Sequence, residues 1–384
     1  MTITPFRISV SDDVLHDLRA RLTRTRFTTA SDPDRWAAGT DPDYLRELVA
    51  YWADGFDWRR AEAALNAYPH FVAEVAGRPV HFVHLRGKRA EGAPAPLPLV
   101  LTHGWPSSFV EMLSVAGPLA DPAAYGGDPA DAFDVVIPSL PGFLYSALPA
   151  GPFTRRGVAG IWHELMTSTL GYERFGAFGG DIGGGVTQWL GSAYPGSVAG
   201  VHITSAVVNP DFGESPATEE ERAFLDALSA YDLDDGGYSE MMCTRPDTVA
   251  AALMDSPAGL VSWIVDKYRA WSDCDGDLER RWSKDDILTV ATLYWATGTI
   301  GSSFRQYYDY HLNKPVPHIS VPAAVTLSHE PAMAGFPRSL AERLCGDLRH
   351  WSTPGRGGHF MAHEEPAQVI RELRAFFGPL RAGG

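Results

Sequence analysis

The 384 residues are 45% hydrophobic and 21% charged, a composition that can bury one large core or two smaller ones and that excludes an intrinsically disordered chain. The formal charge of −15 opposes binding to nucleic-acid phosphates and to anionic membranes, and no cluster among the 32 basic residues reverses it locally, so a neutral or cationic small molecule is the expected partner. Three widely separated cysteines read as small buried apolar residues, and no His- or Cys-rich metal spacing occurs, so the expected chemistry uses side chains alone, with no cofactor and no metal.

Residues 1–27 are mixed and charged, unlike a signal peptide, and no apolar run reaches about 18 residues, so a cytoplasmic protein is expected. Ser11-Asp12-Asp13 caps a predicted helix through Leu15, Leu18 and Leu22, Asp41 opens a second through Tyr44, Leu45 and Leu48, and a third is predicted over residues 58–65. Alternating segments at 71–75 and 80–85, joined through Gly77-Arg78, predict an antiparallel hairpin. After an Ala/Pro/Gly-rich connector at 88–98, short apolar runs follow at 97–102, 133–138, 175–178, 198–204 and 323–327, most of them separated by helical segments. Runs without alternation suit strands covered on both faces, so a mostly parallel sheet wrapped by helices, an α/β fold, is predicted. Between Pro210 and Pro317 the runs stop and a Trp- and Tyr-rich helical stretch intervenes, read as a lid because structureless loops of that length are rare. The expected division is residues 1–90 for the helical meander and first hairpin, 91–209 and 318–384 for the two parts of the α/β core, and 210–317 for the lid.

The segment Phe175-Gly176-Ala177-Phe178-Gly179-Gly180-Asp181-Ile182-Gly183 places Asp181 between a strand and a helix, with small residues two positions away on each side. A nucleophile elbow needs that pattern, because the sharp turn crowds its neighbours and projects the central side chain at a helix N-terminus. An Asp there attacks a saturated carbon to give an alkyl-enzyme ester, which selects epoxide opening or carbon–halogen displacement; the competing reading is a Gly-rich turn with Asp181 as a helix cap. Context decides between them. Leu101-Thr102-His103-Gly104-Trp105-Pro106 is a strand end followed by a turn, so the N–H groups of Trp105 and Ile182 are the expected oxyanion hole. His103 reads as structural. Arg356-Gly357-Gly358-His359-Phe360 puts His359 on a Gly-flexed loop after the last strand, where the base of such a triad belongs.

With Asp181, His103-Gly104-Trp105-Pro106 and Gly357-Gly358-His359-Phe360, the sequence resembles the microsomal-type epoxide hydrolases, in their soluble bacterial branch. The match runs over nearly the whole chain, including Pro138-Ser139-Leu140-Pro141-Gly142-Phe143 and Leu293-Tyr294-Trp295-Ala296-Thr297-Gly298-Thr299-Ile300. The resemblance implies the α/β-hydrolase fold with an N-terminal meander and a helical lid, and two lid tyrosines that donate hydrogen bonds to the epoxide oxygen. Gly237-Tyr238 before Cys243-Thr244-Arg245-Pro246-Asp247-Thr248 matches the first, and Ser302-Ser303-Phe304-Arg305-Gln306-Tyr307 matches the second, with Tyr308 and Tyr310 ranked below Tyr307. Phenols suit the task, since an alkoxide leaves only when its charge meets placed donors or a proton.

The chain departs from the family at the triad acid, where Phe-Pro is replaced in Thr326-Leu327-Ser328-His329-Glu330-Pro331. Glu330 is the preferred acid by position and Asp211 the alternative. Ser107 and Ile182 are smaller departures beside Trp105 and Asp181. The resulting expectation is hydrolysis of an epoxide to a vicinal diol by Asp181 attack, Tyr238 and Tyr307 as acids, and His359 with Glu330 as base. The alternatives are a haloalkane dehalogenase, which two phenols argue against, and a non-catalytic ligand-binding protein. Trp263, Trp271, Trp282, Tyr294 and Trp295 suggest an aromatic-lined pocket, the resemblance to the bacterial branch implies a role in detoxification or antibiotic biosynthesis, including on an aryl epoxide, and a homodimer is compatible with the sequence.

Overall fold

The computed structural model describes residues 2–89, 92, 95–205 and 215–381. Its strands are β1 (Ile3–Phe6), β2 (His70–Val75), β3 (Arg78–Leu85), β4 (Leu97–Thr102), β5 (Phe133–Pro138), β6 (Phe175–Gly179), β7 (Val198–Thr204), β8 (Ala323–Thr326) and β9 (Leu348–Ser352). They form one sheet in the order β1-β2-β3-β5-β4-β6-β7-β8-β9. The first three strands and the β3–β5 pair are antiparallel, and every pair from β5–β4 to β8–β9 is parallel. Every residue of β4, β5, β6 and β7 is buried, which is why these segments read as unbroken apolar runs.

The predicted helices open where their caps place them: Ser11, Asp41 and Asp57 accept backbone N–H bonds at the starts of Asp12–Leu22, Pro42–Asp54 and Trp58–Leu65. One local reading changes. β1 is absent from the prediction because it is a mostly exposed edge strand with Pro5 inside it, so it shows no buried face. The connector and strand predictions overlap at Leu97 and Pro98, and both residues lie buried in β4, as the apolar run at 97–102 predicts.

Between β7 and β8 the described residues contain helices and no strand, the longest being Glu219–Asp235, Pro257–Trp271 and Lys284–Thr297. The N-terminal meander braces this insertion: Trp52 Nε1 donates to Thr292 at 3.0 Å, Thr40 to the Ser262 carbonyl at 2.8 Å, and Arg21 to Asp255 at 2.8 Å. Among the described residues no single helix is long and apolar enough to cross a membrane. Chain progression reverses at β4, which pairs with β5 on one side and β6 on the other. In an open α/β sheet that switch point leaves a crevice beyond the C-terminal strand ends. The turns that follow β4 and β6 meet there.

Candidate active site

Asp181 has φ +52°, a left-handed conformation that non-glycine residues seldom adopt, and it starts the helix Asp181–Ala193 directly after Gly180. The glycines around it are steric requirements. A Cβ on Gly183 would sit 2.0 Å from the Thr102 carbonyl oxygen, and one on Gly179 would sit 2.5 Å from the Gly183 main chain. Across the crevice, a Cβ on Gly104 would meet Asp181 Cβ at 2.5 Å. Helix, β6 and the β4 loop therefore close on one another with room for hydrogen only.

The two oxygens of Asp181 have different surroundings. Oδ1 accepts from the Ile182 N–H and, at 3.4 Å, from the Trp105 N–H. Oδ2 stands 3.5 Å from Nε2 of His359. On its other side His359 Nδ1 is hydrogen-bonded to Glu330 Oε2, and Glu330 Oε1 accepts from Ser328 Oγ at 2.6 Å. Glu330 lies on the turn after β8, and Asp211 lies outside the described residues. His329, which stands in the altered turn, donates its N–H to the Gly357 carbonyl at 2.7 Å and bonds the Pro354 carbonyl through its ring, so it ties the Glu330 turn to the His359 loop.

Burial alone would raise the Asp181 and Glu330 carboxyls, but the adjacent His359 outweighs it and holds both below their ordinary values. Burial disfavours charge on His359, yet Glu330 and Asp181 together hold its pKa well above the ordinary value. These shifts favour an imidazolium between two carboxylates. His103, by contrast, spends both ring nitrogens on the main chain, bonding the Gly104 carbonyl at 2.9 Å and accepting from the Leu140 N–H at 3.1 Å, and burial lowers its pKa to about 4.

Tyr238 and Tyr307 lie on the facing side, on the helices Gly237–Thr244 and Arg305–Tyr308, with their hydroxyls in hydrogen-bond contact and ring centroids 5.9 Å apart. The Trp105 ring stacks on Tyr238 and meets Tyr307 edge-on, each with centroids 5.6 Å apart. Burial first, then neighbouring negative charge including Asp181, raises both phenols and keeps them protonated. Tyr308 is largely exposed, whereas Tyr310 lines the cavity further out. That cavity, about 370 Å³, joins Asp181, His359, Tyr238 and Tyr307. Of the five aromatics expected around it only Trp271 lines it; Trp282 and Tyr294 are core, and the Tyr294 hydroxyl is occupied by the Ser107 carbonyl at 2.8 Å. Among the described residues no three His, Cys, Asp or Glu side chains are grouped so as to hold a metal ion.

Residues 3–112 match the family Epoxide hydrolase N terminus, and residues 98–235 match the alpha/beta hydrolase fold. A protein of Stigmatella aurantiaca, provisionally named an epoxide hydrolase, is 40% identical over 99% of this chain and 86% of its own length. Epoxide hydrolase 1 of Sus scrofa is 33% identical over 99% of this chain and 89% of its own. The chain belongs to the epoxide hydrolases of the α/β-hydrolase superfamily. The crystal structure of juvenile hormone epoxide hydrolase from the silkworm Bombyx mori superposes with a TM-score of 0.87 at 27% identity, covering 99% of this chain and 95% of that one.

This epoxide hydrolase also contains groups that motif reading passed over. Glu364 buries its carboxylate against the His359 loop and accepts the N–H groups of Gly358 and Phe360 at 3.0 Å and of Asp273 at 2.8 Å. Nothing in the sequence marks it, because it sits in a segment that reads as ordinary helix. Trp271 packs on the His359 ring, centroids 4.9 Å apart, and its carbonyl accepts the His359 N–H at 2.9 Å. Lys267 occupies the register of Leu260, Ile264 and Trp271 on an otherwise apolar helix face, a visible signal that a pattern search for catalytic types does not weigh.

Proposed function

We propose that the protein converts an epoxide and water to a vicinal diol through an ester on Asp181. The observation that carries this reading is the division of the Asp181 carboxylate: one oxygen on two backbone N–H groups, the other beside His359, with two phenols across the cavity. In the first step Oδ2 attacks an epoxide carbon, the ring C–O bond breaks, and the alkoxide takes a proton from the Tyr238–Tyr307 pair, which recovers it from solvent. Esterification removes one of the two negative charges that keep His359 protonated, so the ring gives its proton to solvent, balancing the one the tyrosine pair takes up, and becomes a base.

In the second step neutral His359, oriented by Glu330, takes a proton from water as the oxygen adds to Asp181 Cγ. The charge that develops on Oδ1 meets the N–H groups of Trp105 and Ile182. Collapse breaks the Cγ–Oδ2 bond, the departing alkoxide takes the proton from His359, and the diol leaves carrying Oδ2. The new carboxyl returns its proton to His359. Phe224, Met333, Tyr310 and Trp271 line the cavity and favour a neutral substrate with an aromatic substituent.

The test is a single turnover of styrene oxide in oxygen-18 water, beside Asp181→Ala. Unlabelled first-turnover diol, followed by labelled diol on further turnovers, and no diol from the variant are expected. Label in the first diol, or native turnover by Asp181→Ala, overturns the reading.

A further inference from the structure

Lys267 is a buried charge that this two-step chemistry does not use. Its side chain is 5% exposed, with Nζ 2.6 Å from Asp235 and 3.0 Å from Asp266. The same ammonium lies over the Tyr238 ring, 4.8 Å from its centroid, and 5.6 Å from that of Trp271. Asp235 also accepts from Trp271 Nε1 at 3.0 Å and from the Tyr231 hydroxyl at 2.9 Å, so the ammonium is held in one place by groups that are themselves fixed. Burying an ion pair seldom stabilises a fold better than packed apolar residues of the same volume. At a position flanked by Leu260, Ile264 and Trp271 a methionine would fill the space, so packing does not account for the charge.

The charge is explained by what it faces. When Tyr238 gives its proton to the opening epoxide, negative charge appears on the phenol, and Asp181 from the core with Asp232 and Asp235 from the helix Glu219–Asp235 all oppose it. Tyr307 meets the Tyr238 hydroxyl, and Lys267 is the cation against the ring face. A cation at a π face withdraws electron density and favours charge on the ring oxygen. We propose that Lys267, locked by Asp235, is a positioning residue that stabilises the charge developing on Tyr238 and thereby speeds formation of the Asp181 ester. The inference rests on the covalent reading above.

Rapid-quench single turnovers of styrene oxide separate ester formation from ester hydrolysis in the native protein, Lys267→Met, Lys267→Gln and Lys267→Arg. The two neutral variants are expected to form the ester about tenfold more slowly, with hydrolysis changed less than about twofold, and Arg to restore the native rate. The high-pH limb of ester formation moves upward in both neutral variants, because a phenol without the cation ionises less readily. Gln keeps a hydrogen bond to Asp235, so it carries the test if Met does not fold. Native ester formation in a neutral variant, equal slowing of both steps, or no rescue by Arg overturns the role of Lys267. Absence of any ester in the native protein overturns the covalent reading instead.

Discussion

The two walls of the cavity are made by different means. On the core wall, Trp105, Asp181, Glu330 and His359 follow β4, β6, β8 and β9, and main-chain geometry fixes them: a left-handed Asp181, glycines without space for a methyl, and backbone N–H donors on Oδ1. On the facing wall, Tyr238 and Tyr307 ride on two short helices and are held by ring contacts with Trp105, Trp271 and Lys267. A wall set by main chain has almost no tolerance, whereas a wall set by side-chain packing can adjust. The nucleophile and the oxyanion donors need the first property. In the proposed chemistry, acids that meet the substrate from the facing side can work with the second.

The comparison is tested most severely by Gly183→Ala. The added methyl would lie 2.0 Å from the Thr102 carbonyl and 3.0 Å from that of His103, both main chain and unable to swing aside. A loss of about 4 kcal/mol or more, or failure to fold, is expected in urea denaturation. Stability within about 1 kcal/mol of native would mean that the elbow yields, and the core wall would lose its distinguishing property.

That rigidity also explains what could be read from sequence. Gly179, Gly180 and Gly183 around Asp181, and Gly357 and Gly358 before His359, record main-chain constraints as residue identities, so these two positions stand out by spacing, whereas Glu330 is reached only by its place in the family's pattern. Buried strands likewise announced the parallel sheet. The facing wall left no such record, because a tyrosine on a helix looks the same whether it packs or donates a proton; Tyr238 and Tyr307 were reached through family resemblance. Glu364 leaves no record for the same reason, and Trp271 reads only as a cavity ring, not as a partner of His359. His329 stands in the turn whose sequence departs from the family's, and only the fold brings its N–H to the Gly357 carbonyl, where it ties that turn to the His359 loop.

The walls are also expected to act on different steps. Glu330→Gln should slow ester hydrolysis about 10³-fold and let the alkyl-enzyme accumulate, because the His359 ring loses its orienting charge. Tyr307→Phe should slow ester formation about 10²-fold and leave hydrolysis nearly native. Rapid quench followed by mass measurement of the protein distinguishes the two, and slowing of the same step in both variants would merge the walls into one functional unit. Stability carries the same signature. Asp181 and Glu330 are held below their ordinary values of 3.8 and 4.5, so what they contribute is complete above pH 4.5 and is lost as pH falls through their lowered folded values. His359 is held above its ordinary 6.5, so its contribution is complete below that pH and is lost as pH rises through the raised folded value. Thermal melts across pH should show both limbs, and Glu330→Gln should flatten them; an unchanged profile would mean the triad charges do not couple to folding.

The smallest effect lies on the facing wall, at Gly237. A Cβ there meets nothing within 4 Å, and the residue opens the helix that carries Tyr238. Alanine should stabilise the protein by roughly 0.5 to 1 kcal/mol, since it restricts the unfolded chain without touching the folded one. The value of this variant is that it alters the main chain next to an acid without crowding it. Ester formation at the native rate would mean that side-chain packing around Tyr238 is sufficient to place the phenol. A slowed first step despite the available space would show that Tyr238 depends on backbone freedom at its neighbour, and the facing wall would then be governed by main chain as the elbow is.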